Sequence, residues 1–156
     1  MGVAATVQDY LDSRRVAYEV IDHPHTDSSV RTAESAHISG DQLAKPILLG
    51  DDSSYLLAVI PATHRLEIDR LNQVLARSLQ MIQDDEIACA FSDCETGAIP
   101  VVGEAYGLDT VVDAGLSHQD DVYFDSGDHE HLIHMRGDDF RALMEHVPRV
   151  QVSHHL

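Results

Sequence analysis

Lys45 is the only lysine among 156 residues; the other nine cations are all Arg. Lysine is normally among the commonest residues of a soluble protein. A chain that keeps it only in Gln42-Leu43-Ala44-Lys45-Pro46-Ile47-Leu48-Leu49 draws attention to that position. An ammonium is a compact, rotatable point charge, and the planar guanidinium of Arg does not replace it at a confined site. One reading is a site that needs such a charge; the other is a surface residue that drifted in. Cys94 is a second candidate: as a nucleophile it would need a nearby base to make its thiolate, and otherwise it is a small apolar group packing a loop. The eleven histidines invite a metal reading. His129 and His131 would share one face of an extended strand, with His134 on the other, but zinc needs three or four converging ligands. The spacing fixes no such convergence, so no metal and no other cofactor is expected. The strongest local feature is the run Phe91 to Gly103, rich in Gly, Pro and Cys. Small residues in an ordered loop permit close backbone approach to a ligand.

These residues need a frame. Ala4, Val7, Tyr10 and Leu11 recur at helical spacing, with Thr6 as the expected cap. Tyr18 to Ile21 alternates as a short strand, and residues 23–29 read as a loop before a short helix over Thr32–Ala36. Ala44–Leu49 and Tyr55–Ile60 are apolar and β-prone, joined by a turn at Gly50-Asp51-Asp52-Ser53. Amphipathic helices are predicted over Leu66–Leu75 and Asp84–Ala90, the latter capped by Asp84. Thr110–Asp113, Val122–Phe124 and Leu132–Met135 read as strands, and Asp138–His146 as a closing helix. Val150 and Val152 suggest an edge strand, with His154-His155 frayed beyond it. Strands in hairpin-like pairs with helices around them predict a single α+β domain over residues 1–156 with a mixed, mostly antiparallel sheet.

The formal charge is −17, from 27 acids against 10 bases. Such a surface repels nucleic acid at low ionic strength and resembles the acid-rich surfaces of salt-adapted proteins. No apolar run reaches membrane-spanning length, so no membrane partner and no DNA partner are expected. The start lacks a basic segment followed by a long apolar stretch, which makes the cytoplasm the expected compartment. The phosphate loop, dinucleotide, nucleophile-elbow and zinc-protease signatures are absent.

Seven segments, in order, resemble the YbaK/EbsC family, the free-standing relatives of the editing domain of bacterial prolyl-tRNA synthetase. They are His23-Pro24-His25-Thr26, Thr32 to Ala36, Gln42 to Lys45, Val59 to Leu66, Asp93 to Pro100, Val112-Asp113, and Gly127-Asp128-His129. The resemblance implies hydrolytic deacylation of mischarged aminoacyl-tRNA and a compact α+β fold around a barrel-like sheet. It implies Lys45 as the catalytic residue, with Gly97, Ala98, Ile99, Pro100, Asp113, His129 and Thr26 binding substrate. The amides around Gly97 and Ala98 would hold a carbonyl or the ribose. The implied partners are the aminoacyl-tRNA acceptor end and an aminoacyl-tRNA synthetase. The rival reading is a non-catalytic module that docks on a synthetase or a small ligand. Two positions depart from the family pattern. Pro46 directly follows Lys45, which implies a strand edge or a bulge there, and Val101-Val102 replaces the usual Pro and aromatic.

Overall fold

The computed structural model describes residues 3–26, 28–95 and 97–156, apart from the side chains of 29 and 30. Asp27, in the loop read over residues 23–29, and Thr96, in the segment Asp93 to Pro100, lie outside the described residues. Helix α1 (Ala5–Ser13) is followed by β1 (Glu19–Asp22), α2 (Ser29–Ala36) and the hairpin β2 (Ala44–Gly50) and β3 (Tyr55–Pro61). Then come β4 (His64–Leu66), α3 (Ile68–Leu75), β5 (Gln80–Met81), α4 (Asp84–Ala90) and β6 (Asp109–Asp113). The chain ends with β7 (Asp121–Asp125), β8 (His131–Arg136), α5 (Gly137–Leu143), β9 (Arg149–Val150) and β10 (Ser153–His155). The class is α+β, as expected. The strands form three sheets: β5-β2-β3-β6-β9, β1-β8-β7 and β10-β4. No sheet closes among the described residues, so the barrel-like expectation gives way to open sheets packed together.

The hairpin β2–β3 is the spine. Its turn is fixed by Asp51, whose Oδ1 accepts the amides of Ser53 and Ser54 while Arg77 Nε donates to Oδ2 at 2.8 Å. Ala44, Leu48, Leu57 and Val59 face the larger core cluster, and Leu49, Leu56 and Ala58 face a second one. A sheet covered on both faces explains why Tyr55–Ile60 reads as an unbroken apolar run. β3 pairs with β6 in parallel, and β6 with β9 in parallel; the remaining ladders are antiparallel. The chain from α3 to the 3-10 turn Gly103–Tyr106 is therefore a crossover, and it carries one wall of the site.

Several local expectations are corrected. Thr6 does not cap α1: Ala4 holds the cap position, and the Thr6 amide donates to Asp93 Oδ2 at 3.0 Å, 87 residues along the chain. Asp84 is the first helical residue of α4 rather than its cap, which Gln83 occupies without a side-chain bond. His154 and His155 are not frayed but pair in β10 with Arg65 and His64. His129 and His131 share no strand face, because β8 starts at His131 and His129 sits in the turn with φ +63°.

Pro46 falls on an edge and not in a bulge. β2 pairs with β3 without interruption, Lys45 opposite Ile60 and Pro46 opposite Val59. The Ala62 amide donates to the Leu43 carbonyl at 2.8 Å, which makes Leu43, Lys45, Ile47 and Leu49 the residues whose backbone groups face β3. The nitrogen of Pro46 points the other way. There β5 pairs only with Leu49 and Gly50, so the missing N–H costs no ladder bond.

The β1-β8-β7 sheet is cross-linked by two histidines of β8. His134 Nε2 lies 2.9 Å from Asp121 Oδ1 on β7, its Nδ1 contacts Glu19 on β1, and its ring stacks on Tyr123. His131 contacts Asp128 through Nδ1 and Asp22 through Nε2, the latter at 3.2 Å. A neutral imidazole has a single N–H, so the imidazolium alone satisfies both contacts of His134. At His134 burial opposes the charge, but the Asp121 and Glu19 carboxylates outweigh it and raise the pKa. A folded-state pKa above the unfolded one stabilises fully below the unfolded value of about 6.5 and is lost as pH rises through the folded value. Thermal stability is therefore expected to decline above about pH 6.5, and His134→Phe, which keeps the stacking on Tyr123, should flatten the decline. Glu19 is exposed and Asp121 partly so, which limits the effect to about 1 kcal/mol. An identical slope of Tm against pH in the variant would refute this.

Candidate active site

Lys45 lies on β2 at the mouth of a cleft of about 190 Å³. The unpaired edge of β2, from Lys45 to Leu48, forms one wall. Ile82 just before α4, Asp84 and Ile87 within it and Phe91 just after it line the cleft as well, as do Glu95, Gly97 and Ile99. The lining is mostly apolar, with Ile47, Leu48, Met81 and Ile87 among it. Lys45 is half-buried, and its Nζ donates to the His64 carbonyl at 3.0 Å. The segment Val59 to Leu66 thus holds the ammonium from behind. Burial, and then the nearby Arg65 guanidinium, lower the Lys45 pKa from its ordinary value.

A small annex of about 30 Å³ adjoins the cleft. Pro46, Gly97 and Ile99 line both spaces and divide them. Thr32, Leu132, Asp125 and His129 line the annex alone. The His129 ring lies 5.0 Å from that of His25, and its Nδ1 is 4.0 Å from Asp125 Oδ2. Burial raises the Asp125 pKa, against the amides of Gly127 and His129 and the His129 ring, which all favour its charge.

The structure brings together Lys45, Gly97, Ile99 and His129. Gly97 has φ +80° and is exposed, and a Cβ there would make only ordinary contact, at 3.5 Å, with the His129 ring. The backbone conformation, not lack of space, is what calls for glycine. Ala98 is fully buried, and its amide donates to the Glu95 carbonyl at 3.0 Å. That amide is engaged in the turn, contrary to the expectation that it would hold a substrate oxygen. Pro100 is buried and lines neither space. Asp113 is buried too, with Oδ2 accepting the Gly115 amide at 2.9 Å and Oδ1 the Val152 amide at 3.1 Å. Its carboxylate anchors the chain terminus and lines neither space. Thr26 hydrogen-bonds Thr32 Oγ1, and so supports the annex from behind.

Cys94 lines the cleft, with Sγ 3.6 Å from Asp93 Oδ1 and 3.5 Å from the Tyr106 hydroxyl. Burial pushes its thiol up to about 12, which removes the thiolate that a nucleophile requires. Asp93 accepts from both the Thr6 amide and Tyr106, so it ties α1 to the loop. Among the described residues no group of three or more His, Cys, Asp or Glu is placed to hold a metal ion. Sequence reasoning missed Glu95, Asp84, Thr32 and Asp125 as lining residues. Glu95 sat inside the loop already singled out, but one acid among 27 acids carries no distinguishing signal.

A small α+β domain whose single Lys stands half-buried at an apolar cleft that a glycine turn also lines defines a site for a compact ligand with an acceptor group. Residues 23–143 match the model of the aminoacyl-tRNA editing domain, and the chain belongs to that family. No match was found among curated proteins. Among solved structures, a proposed trans-editing enzyme for prolyl tRNA synthetase is similar in fold, with a TM-score of 0.83 at 18% identity over 97% of this chain and 96% of the other. A candidate signal-transduction protein from Marinobacter aquaeolei VT8 superposes with a TM-score of 0.80 at 22% identity. The match covers 97% of this chain but only 31% of the Marinobacter protein. No helix among the described residues is long and apolar enough to cross a membrane.

Proposed function

We propose that this protein deacylates aminoacyl-tRNA carrying a small amino acid, acting in trans in the cytoplasm on the acceptor end of the tRNA, with an aminoacyl-tRNA synthetase as its partner. The observation that carries the reading is the Lys45 ammonium, held by the His64 carbonyl at a cleft that Gly97 also lines. An aminoacyl ester is already activated, so no Ser or Cys nucleophile is needed. Water adds to the ester carbonyl, helped by the neighbouring ribose hydroxyl. The ester C–O bond then breaks and the ribose oxygen leaves as a hydroxyl, taking the proton that water gives up. The protein's task is to meet the oxyanion. One such donor is worth about 2.7–4 kcal/mol of barrier. Gly97, with no side chain, lets the acyl group pass close to the backbone, and His129 and Ile99 border the annex that takes its side chain.

The annex sets the expected selectivity. About 30 Å³ holds a group of one or two heavy atoms, which suits Ala, Ser and Cys and strains with Thr. Fit alone separates groups that differ by a methylene by only about 1–3 kcal/mol. Esters of Ala, Ser, Thr and Cys are therefore expected to be cleaved within roughly 200-fold of one another, and those of Leu and Phe refused. A chain with charge −17 has few phosphate contacts to offer, so an acceptor-stem minihelix should serve nearly as well as full tRNA. The deciding measurement is single-turnover deacylation of all six esters on both substrates. Rapid cleavage of the Phe ester, or complete loss on the minihelix, would overturn the size filter or the acceptor-end reading respectively. Absence of any cleavage would leave a binding module.

A further inference from the structure

The cleft carries one cation and two carboxylates that the proposed reaction leaves without a task, the exposed Asp84 and the less exposed Glu95. Glu95 is fixed at both ends of its peptide unit: its amide donates to the Gly127 carbonyl at 2.7 Å, and its own carbonyl accepts from Ala98 at 3.0 Å. Glu95 lines the cleft, and its side chain has no hydrogen bond or ion pair within the described residues. Lys45 does not neutralise it, since the Nζ is directed to the His64 carbonyl. The loop backbone therefore holds a partly buried, unpaired acid in place on the same cleft as the ammonium. A carboxylate fixed beside the apolar side chains of this cleft is a ready partner for a cationic group of the ligand.

On the deacylase reading, on which this inference rests, the ligand has such a group. An aminoacyl ester bears an α-ammonium one carbon from the carbonyl that Lys45 addresses. We propose that Glu95 is a specificity-determining residue that receives the α-ammonium of the aminoacyl group, so that the site accepts free aminoacyl esters and rejects N-blocked ones. A charge-assisted hydrogen bond to the ammonium is stronger than a neutral one. An amide-capped nitrogen presents no charge and leaves the carboxylate without a cationic partner. Lys45 and Glu95 then fix two points of the acyl unit, and the side chain is left to the annex.

The test compares alanyl-minihelix with N-acetylalanyl-minihelix, using the full chain and Glu95→Gln under single-turnover conditions. The unsubstituted protein is expected to cleave the free ester with kcat/KM at least tenfold above the N-acetyl ester. Glu95→Gln should lose tenfold or more on the free ester, mainly through KM, and keep its rate on the N-acetyl ester, so that the preference collapses. A merely structural role would lower both rates together and lower Tm. Equal cleavage of both esters by the unsubstituted protein, or full preference retained in Glu95→Gln, would overturn the inference and leave the deacylase reading standing. Cleavage of neither ester by the unsubstituted protein would overturn that reading and the inference with it.

Discussion

Lys45→Ala is expected to lower deacylation by at least about 10²-fold, the usual cost of removing one donor from an oxyanion, with little change in Tm. Among the described residues, the only hydrogen bond that Nζ makes is to the His64 carbonyl. Losing one such bond at a half-exposed position costs about 1 kcal/mol. Lys45→Arg is expected to fail as well. The guanidinium is wider and always charged, and its planar fork would reach past the His64 carbonyl into the space the ester needs. The pH dependence follows from the same group. Burial and Arg65 lower the Lys45 pKa, so the ammonium form is lost at a lower pH than for a free lysine, and activity should fall on the alkaline side. Full activity in Lys45→Arg would sink the point-charge argument while leaving the family membership untouched.

Gly137→Ala should be the most destabilising single methyl that the fold can receive at a glycine. A Cβ at Gly137 would lie 2.0 Å from the backbone carbonyl oxygen of Gln119 and 3.1 Å from Arg141 Nη1. Gly137 opens α5 directly after β8, and its amide donates to the Asp120 carbonyl at 2.6 Å, so both segments are pinned where the clash occurs. The obstructing atom is backbone and cannot rotate away. Overpacking of this kind costs about 1–3 kcal/mol or more, which lowers Tm by several degrees in a domain of this size. Activity per folded molecule should survive, because neither segment lines the cleft or the annex. A Tm within a degree of the unsubstituted protein would show that the Asp120–Gln119 turn yields more easily than its hydrogen bond implies.

What could be read from the sequence was whatever is local. The β2–β3 hairpin announced itself by two apolar runs about a turn of Gly and Asp, and Lys45 by being alone. Gly97 and Ile99 were legible because small residues in a loop imply close approach. Ala98, Pro100 and Asp113 were read as lining residues since they share motifs with ones that are. A motif does not say which way its neighbouring side chains turn, and here they turn inward as supports. The parallel pairings β3–β6 and β6–β9 depend on contacts far apart in the chain, which no local pattern encodes. β4 and β10 went unread because His-Arg-Leu and Ser-His-His carry no apolar alternation. Thr6 and Asp84 have the residue types of caps, but the group that serves α1 is Asp93, from a segment the sequence cannot link to it.

Pro46 has a consequence for the protein among other copies of itself. An exposed strand edge is a template on which a strand of another chain can zip, and proteins that leave one open risk polymerising through it. The half of β2 that borders the cleft is such an edge. The outward nitrogen of Pro46 breaks its row of donors in the middle, and the charged Lys45 beside it makes a dry sheet-to-sheet junction unfavourable. The same residue that departs from the family pattern thus keeps the groove open to a small ligand and closed to a neighbour's strand.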